Sequence, residues 1–249
     1  MTGDLPDYSK KRSPNCGQRR HHLSPDMVVI HYTAMQAAEA AVDRLCDPAA
    51  EVSAHYVIAE DGRVFPLVSE DMRAWHAGAG QWGHVKDVNS HSIGIELANV
   101  GPDGACPEFP EAQMLVLERL LGDILRRRKM ITPERVIGHS DMAPGRKVDP
   151  GPYFDWKRLA DKGLSIWANY EHQSTDWTLF KEAAQVFGYR PPEQDDFGWQ
   201  CVLEAFRLRF RSHIDLNAPL DGTDVGTLQK LADEWPCAVV DLGHKKELF

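Results

Sequence analysis

The sequence predicts an α/β fold in which a mixed central β-sheet is flanked by helices and followed by a small C-terminal three-helix domain. Short apolar runs rich in β-branched residues intermix with helical patterns up to about residue 165. Two of these runs flank Asp61-Gly62, which is a hairpin signal. After about residue 170, apolar residues recur at helical spacing, and no strand pattern is convincing before the tail.

The predicted strands are short segments of apolar or alternating residues, at positions 27–32, 54–59, 63–67, 93–98 and 136–138. The first segment is a continuous β-branched run, which is typical of a buried strand. The second and third segments form the predicted hairpin. The last segment leads directly into a stretch rich in proline and glycine.

The clearest helix spans residues 110–130, because apolar side chains recur there at spacings of three and four. Shorter helices are predicted at residues 36–46 and 155–162. Three further apolar stripes begin at Trp177, Trp199 and Leu228, and Thr223 or Asp224 is the predicted N-cap of the last. We therefore divide the chain into a polar N-terminal arm (1–23), an α/β domain (24–165) and a helical domain (172–245).

Composition excludes several classes of protein. The net charge of −9 argues against a nucleic-acid-binding protein, which normally has a basic face. The four cations at residues 126–129 fit the end of a helix better than a nucleic-acid patch. We find no apolar run long enough to span a membrane. The five cysteines are scattered and odd in number, so we expect reduced thiols rather than a disulfide framework.

The N-terminal arm bears on the compartment. It carries basic residues, but no apolar segment of the kind a secretory signal requires follows them. We therefore expect a cytoplasmic protein. The alternative is a periplasmic or cell-wall-associated protein whose signal has already been removed.

Candidate metal ligands lie where two predicted strands end. His31 ends the first apolar run, and His139 begins a segment in which Pro144 and Pro150 favour a shaped loop over a regular helix. Asp149 lies ten residues after His139. Two imidazoles and one carboxylate predict a catalytic zinc site with one position left for water. The alternatives are a histidine that caps the core and an aspartate that forms a turn before proline.

Two further residues are candidates for catalysis. Glu96 lies between Ile95 and Leu97 in an apolar strand, where a carboxylate is costly unless it is paired or functional. It would suit a general base beside a metal-bound water, or it points to solvent from a half-exposed strand. Lys147 leaves the loop on the same side as Asp149 if the backbone is extended, which would place it to stabilise an oxyanion. The alternative is an ordinary surface lysine.

Trp75 and His76 stand together in a loop that ends in glycine. Trp75 would form a wall for a sugar or peptide, and it equally fits a core tryptophan. We take both residues as candidates for substrate binding.

Six short motifs occur in a fixed order along residues 26–157: VIHYT (29–33), SAHYVI (53–58), AWHAG (74–78), SIGIEL (92–97), GHSD (138–141) and PGRKVDPG (144–151). Together they resemble the zinc-dependent N-acetylmuramoyl-L-alanine amidases of the type-2 family, which is related to peptidoglycan recognition proteins. The aspartate at position 149 is similar to that of the branch that acts on anhydro-muropeptides. The terminal helices are more weakly similar to a peptidoglycan-binding domain.

The resemblance implies a catalytic domain at residues 24–165, with one Zn²⁺ held by His31, His139 and Asp149. It also implies that Glu96 is the catalytic glutamate and that Lys147 lies near the metal. The implied reaction is hydrolysis of the amide between the muramic acid lactyl group and L-alanine. Arg146 is a further candidate, since its planar guanidinium suits a carboxylate of the stem peptide.

Two other functions fit the same motifs. A peptidoglycan recognition module that does not cut its ligand would be expected to lack a zinc ligand or the glutamate, and this chain has all of them. A phage-derived lytic amidase would act on intact wall, which the helical domain favours. The missing signal favours soluble anhydro-muropeptides instead. The sequence does not decide between these substrates, and it predicts neither stem-peptide preference nor oligomeric state.

Overall fold

A computed structural model describes residues 11–101 and 107–237 of the chain. Five strands form a central sheet, and two further strands form a separate small sheet. The strands are β1 (Cys16–Gln18), β2 (Met27–Tyr32), β3 (Tyr56–Ile58), β4 (Val64–Pro66), β5 (Met72–Ala74), β6 (Ser92–Leu97) and β7 (Val136–Gly138). The helices are α1 (Ala38–Leu45), α2 (Val88–His91), α3 (Glu111–Arg127), α4 (His139–Met142), α5 (Trp156–Asp161), α6 (Trp177–Phe187), α7 (Asp196–Phe210) and α8 (Gly222–Glu234).

The central sheet is mixed, as predicted. Its strand order is β4-β3-β6-β2-β7, in which β3 and β4 form the predicted antiparallel hairpin and the other pairs are parallel. The register places His31 beside Glu96 and Ile30 beside Gly138. Since parallel strands end at the same edge of a sheet, the residues that close β2 and β6 and follow β7 meet there.

The two faces of the sheet are covered by different helices. Val28 and Ile30 point to the face that packs against the long amphipathic helix α3. Met27 and Val29 point to the opposite face, where they share an apolar cluster with the helical region, by which we mean α6 to α8 (residues 177–234). The predicted fold class is therefore confirmed. The division into separate domains stays a prediction, although one apolar cluster joins the helical region to the sheet.

The N-terminal arm is attached to the rest of the chain between residues 11 and 23. Strand β1 pairs with β5 in a small second sheet that the sequence patterns did not indicate. Arg19 is buried and donates hydrogen bonds to the backbone carbonyls of Glu70, Asn89, Ser90 and Ser92. Residues 1–10 of the arm, and residues 238–245 of the predicted helical domain, lie outside the described residues.

Two local predictions are wrong. Residues 139–142 form a single helical turn where a loop was expected, because Pro144 follows that turn and does not interrupt it. The N-cap of α8 is Asp221 rather than Thr223 or Asp224, since the Asp221 carboxylate accepts from the amides of both. Asp224 sits one turn further on and completes a capping box.

The helical region contains a buried ionic cluster. Arg207 and Asp224 are both 0 % exposed and lie 2.5 Å apart. Arg211 also donates to Asp224, and Arg207 donates to three backbone carbonyls, those of Leu216, Ala218 and Pro219. Asp224 therefore has charged donors around its carboxylate, as a buried charge requires.

Cysteines 16, 46, 201 and 237 form no disulfide with one another, and Cys106 lies outside the described residues. Among residues 11–101 and 107–237, no helix is both long and apolar enough to cross a membrane.

Candidate active site

Four polar residues converge at the edge of the sheet where the parallel strands end. His31 and Glu96 are neighbours on β2 and β6, and His139 follows β7 directly. Asp149 reaches the same place through the loop after α4, where its backbone carbonyl accepts a hydrogen bond of 2.9 Å from the amide of Ser140. The sheet register, rather than proximity in sequence, brings these side chains together.

The predicted metal ligands form one tight cluster. His31 Nδ1 lies 2.9 Å from His139 Nδ1, and each of these nitrogens lies 3.0 Å from Asp149 Oδ2. All three residues are buried. Ligand atoms bound at about 2.0–2.1 Å to a tetrahedral ion are roughly 3.3 Å apart, which is close to the spacing seen here.

The outer nitrogens of both histidines face protein partners. His139 Nε2 lies 2.9 Å from the carbonyl oxygen of Ala77, so it must donate. His31 Nε2 lies 3.0 Å from His76 Nδ1. When both outer nitrogens donate, each neutral ring presents a lone pair at Nδ1. Two lone pairs and a carboxylate oxygen then meet without a hydrogen between them, an arrangement that a cation stabilises. These residues can therefore hold a metal ion.

The protonation states of the cluster favour metal binding. Burial and the nearby His139 lower the pKa of His31 to about 4, so its ring is neutral at pH 7. Burial by itself raises the pKa of Asp149, but the two histidines, once protonated at acidic pH, outweigh it and the pKa is lowered overall. Metal ligands must be unprotonated, and both groups meet that condition at neutral pH.

Glu96 faces the same cavity and has an unsatisfied oxygen. Its Oε2 is buried and has no hydrogen-bond partner in the described part of the chain. Burial and then the charge of Asp149 raise the pKa of Glu96 well above its ordinary value, against the opposing effect of Lys147. A buried carboxyl without a partner is costly, and such groups are concentrated at functional sites. The prediction that Glu96 points to bulk solvent does not fit this position.

The other residues predicted for the site, Trp75, His76, Arg146 and Lys147, line a cavity of about 470 Å³ next to the cluster. Lys147 is exposed at its rim, and Trp75 is half-buried in its wall. Arg146 is also exposed and donates to the backbone carbonyls of Ala77, at 2.7 Å, and Ala79. A cavity of this size suits a small-molecule ligand.

His76 also lines the cavity, and both of its ring nitrogens have protein partners. Nδ1 faces His31, and Nε2 lies 3.2 Å from the hydroxyl of Ser92. Sequence reasoning did not single out Ser92, Gly94 or Asn89, all of which contact His76. One signal was available, since a glycine within a buried strand often marks a close approach by another group.

The family of the chain follows from comparison with known proteins. Residues 21–152 match the model of the family described as N-acetylmuramoyl-L-alanine amidase. The chain is 34 % identical to N-acetylmuramoyl-L-alanine amidase AmiD of Escherichia coli over 209 residues, 74 % of each chain. It is also 34 % identical to 1,6-anhydro-N-acetylmuramyl-L-alanine amidase AmpD of Haemophilus influenzae, over 63 % of this chain and 92 % of that one.

Solved structures agree with this assignment. AmpDh3 of Pseudomonas aeruginosa in complex with anhydromuramic pentapeptide has a TM-score of 0.76 and 32 % identity, with 94 % of this chain and 100 % of that chain covered. E. coli AmiD in complex with anhydro-N-acetylmuramic acid-L-Ala-D-γ-Glu-L-Lys has a TM-score of 0.74 and 30 % identity, with 88 % and 93 % covered. The family predicted from the sequence motifs is confirmed: the chain belongs to the N-acetylmuramoyl-L-alanine amidases.

Proposed function

We propose that this amidase uses one zinc ion to hydrolyse the amide between the lactyl group of 1,6-anhydro-N-acetylmuramic acid and L-alanine in soluble muropeptides. The observation that carries the proposal is the buried Oε2 of Glu96, which has no hydrogen-bond partner among residues 11–101 and 107–237, beside three convergent atoms that can hold a metal. Three protein ligands are typical of catalytic zinc sites, whereas structural sites usually have four.

His31, His139 and Asp149 would hold the ion. Zinc bound there supplies Lewis acidity, which promotes deprotonation of water and polarises the lactyl carbonyl. The donor set of two imidazoles and one carboxylate suits this metal.

Glu96 is the proposed proton carrier. Burial raises the pKa of this carboxyl, which favours uptake of a proton by Glu96. Glu96 accepts a proton from the attacking water and delivers it to the alanine nitrogen, because an amine leaves readily only when protonated. Lys147, at the cavity rim, stabilises the negative charge that develops on the carbonyl oxygen of the lactyl amide.

Trp75 and Arg146 are the proposed substrate contacts. The half-buried indole of Trp75 offers an apolar surface for the sugar or peptide. Arg146 has donors to spare beyond its two backbone contacts, and these suit a carboxylate of the stem peptide. The choice of anhydro-muropeptides is supported by the relatives, since AmpDh3 and AmiD were solved with anhydromuramic peptides and AmpD is named for the 1,6-anhydro sugar.

The alternative is a lytic amidase that acts on intact wall. The helical region supports this second candidate, because a second binding site for the wall polymer there would raise the effective concentration of the polymer at the catalytic site. A recognition module without activity is less well supported, since all three metal-binding residues and Glu96 are present. The cytoplasm remains the predicted compartment.

Turnover by the purified full chain, loaded with zinc, tests the proposal. We expect release of L-alanine-terminated peptide from anhydromuramoyl tripeptide at a higher kcat/KM than from intact sacculi, with Glu96→Gln as the inactive control. Faster release from sacculi would favour the lytic amidase. Stoichiometric zinc with no peptide released from either substrate would refute the enzymatic proposal.

A further inference from the structure

Residues His76 and Ala77 lie directly behind both histidine ligands. The ring of His76 faces the outer nitrogen of His31 at 3.0 Å, and the carbonyl of Ala77 accepts from the outer nitrogen of His139 at 2.9 Å. One dipeptide thus supplies the outer hydrogen-bond partners of two ligands that are 108 residues apart in sequence.

The direction of these hydrogen bonds follows from the partners. The Ser92 hydroxyl donates to the carbonyl of Val88 at 2.6 Å, so its oxygen is left to accept from His76 Nε2. A neutral His76 protonated at Nε2 has its lone pair at Nδ1. That lone pair accepts from His31 Nε2, which leaves the Nδ1 lone pair of His31 facing the metal cluster. The chain Ser92–His76–His31 therefore fixes the tautomer of the ligand.

The inner face of β6 is shaped to seat this ring. Ser92, Gly94 and Glu96 occupy alternate positions of β6 and therefore share that face. Ser92 binds His76, and Glu96 carries the proposed catalytic carboxyl. A Cβ on Gly94 would lie 2.4 Å from Cγ of His76, so only glycine admits the ring there. The close packing against Gly94 is a second observation, independent of the hydrogen bonds, that the sheet fixes the position of the His76 ring.

The backbone of the dipeptide is held as well. The side-chain oxygen of Asn89, a buried residue, accepts from the amides of His76 at 3.0 Å and Ala77 at 2.9 Å. The same side chain thereby sets the position of the His76 ring and of the Ala77 carbonyl. Neither partner of the metal-binding histidines is free to shift without losing a hydrogen bond.

We infer that His76 is a positioning residue for the metal site, which holds His31 in its ligating orientation and tautomer, and that the Ala77 carbonyl does the same for His139. This role replaces the substrate contact expected from the sequence, because no ring nitrogen of His76 is left for a substrate. The inference rests on the proposed function only in requiring a metal at His31, His139 and Asp149. Loss of such an outer partner typically weakens metal binding by about 10- to 100-fold.

Zinc affinity, measured by chelator competition on the full chain, tests the inference without an activity assay. We expect His76→Ala to bind zinc about 10- to 100-fold more weakly than the wild type. His76→Asn should recover most of that loss, because the amide oxygen of asparagine can occupy the place of Nδ1 and accept from His31. The visible absorption of the Co²⁺-substituted proteins should change in the alanine variant and return toward the wild type in the asparagine variant.

Wild-type affinity in His76→Ala would overturn the inference, and so would equal losses in both His76 variants. Thermal unfolding in excess EDTA reports whether each variant still folds. If His76→Ala does not fold, Ser92→Ala provides the test: it removes the acceptor of His76 Nε2 and should weaken zinc binding in the same direction. Unchanged affinity there would contradict the inference. Altered zinc affinity in a chain that cleaves no muropeptide would leave it standing while the proposed function fails.

Discussion

Two of the buried clusters of ionisable groups in the described part of the chain differ in how completely their charges are paired. In the helical region, Arg207 and Asp224 are fully buried. The Asp224 carboxylate accepts from Arg207 and Arg211, and Arg207 also donates to backbone carbonyls. At the sheet edge, Asp149 shares its oxygen with two histidines whose inner nitrogens carry lone pairs, and Glu96 Oε2 has no partner among the described residues.

The difference separates structure from function. An ionic cluster whose opposite charges are paired contributes to one folded arrangement and offers little to a ligand. A cluster of acceptors without donors is destabilising by itself and is stabilised by what it binds. We therefore propose that the sheet edge binds a cation and a reacting substrate, whereas the Arg207 cluster stabilises the helical region.

The largest expected effect is that of Glu96→Gln on turnover. We expect kcat to fall by about 10²–10⁴-fold, since the amide cannot carry a proton, while zinc content is retained. The melting temperature of the metal-free protein should stay the same or rise, because the variant removes the negative charge from a side chain whose buried Oε2 has no partner within the described residues. Near-normal kcat in a zinc-loaded variant would contradict the role of Glu96.

The opposite pattern is expected in the helical region. Arg207→Met leaves Asp224 buried without its main partner, which typically costs about 3–5 kcal/mol of unfolding free energy. Zinc binding and kcat per folded molecule should not change. Denaturant unfolding measures the loss, and Lys157→Met is the matched control, because its ion pair with Asp161 is exposed and should contribute less than about 1 kcal/mol. Equal stability of the two variants would show that the Arg207 cluster does not stabilise the helical region more than an exposed ion pair does.

A smaller effect is expected at the rim of the site. Lys147→Ala should lower kcat by about 10²-fold, the usual cost of one oxyanion donor, with little change in KM or zinc content. Steady-state kinetics on a soluble muropeptide separates the two parameters. A raised KM at unchanged kcat would instead make Lys147 a substrate-binding residue.

The sequence was sufficient to predict where the candidate site lies. His31 and Glu96 stand in apolar strands and His139 follows one, and polar residues at the ends of parallel strands meet at one edge. The central strands themselves were predictable because β-branched apolar runs are a strong local signal. The register that makes His31 and Glu96 neighbours is a property of the whole sheet, so no local pattern contains it.

Other features depended on contacts between distant segments. The hydrogen bond from His76 to Ser92 and the packing of the His76 ring over Gly94 form only when residues 74–78 pack against β6. Strand β1 is three residues long, too short for any periodicity to show. At the start of α8, Asp221 and Asp224 are one helical turn apart and either suits an N-cap, so only the backbone amides decide between them.

We propose that His31, His139 and Asp149 bind one zinc ion at the sheet edge. Diffraction data collected on both sides of the zinc absorption edge, from crystals of the zinc-loaded full chain, would locate that ion. We expect a single anomalous peak within bonding distance of Nδ1 of each histidine and of the Asp149 carboxylate, with Glu96 beside it but not bound. A peak elsewhere, or one with Glu96 as a fourth protein ligand, would contradict it.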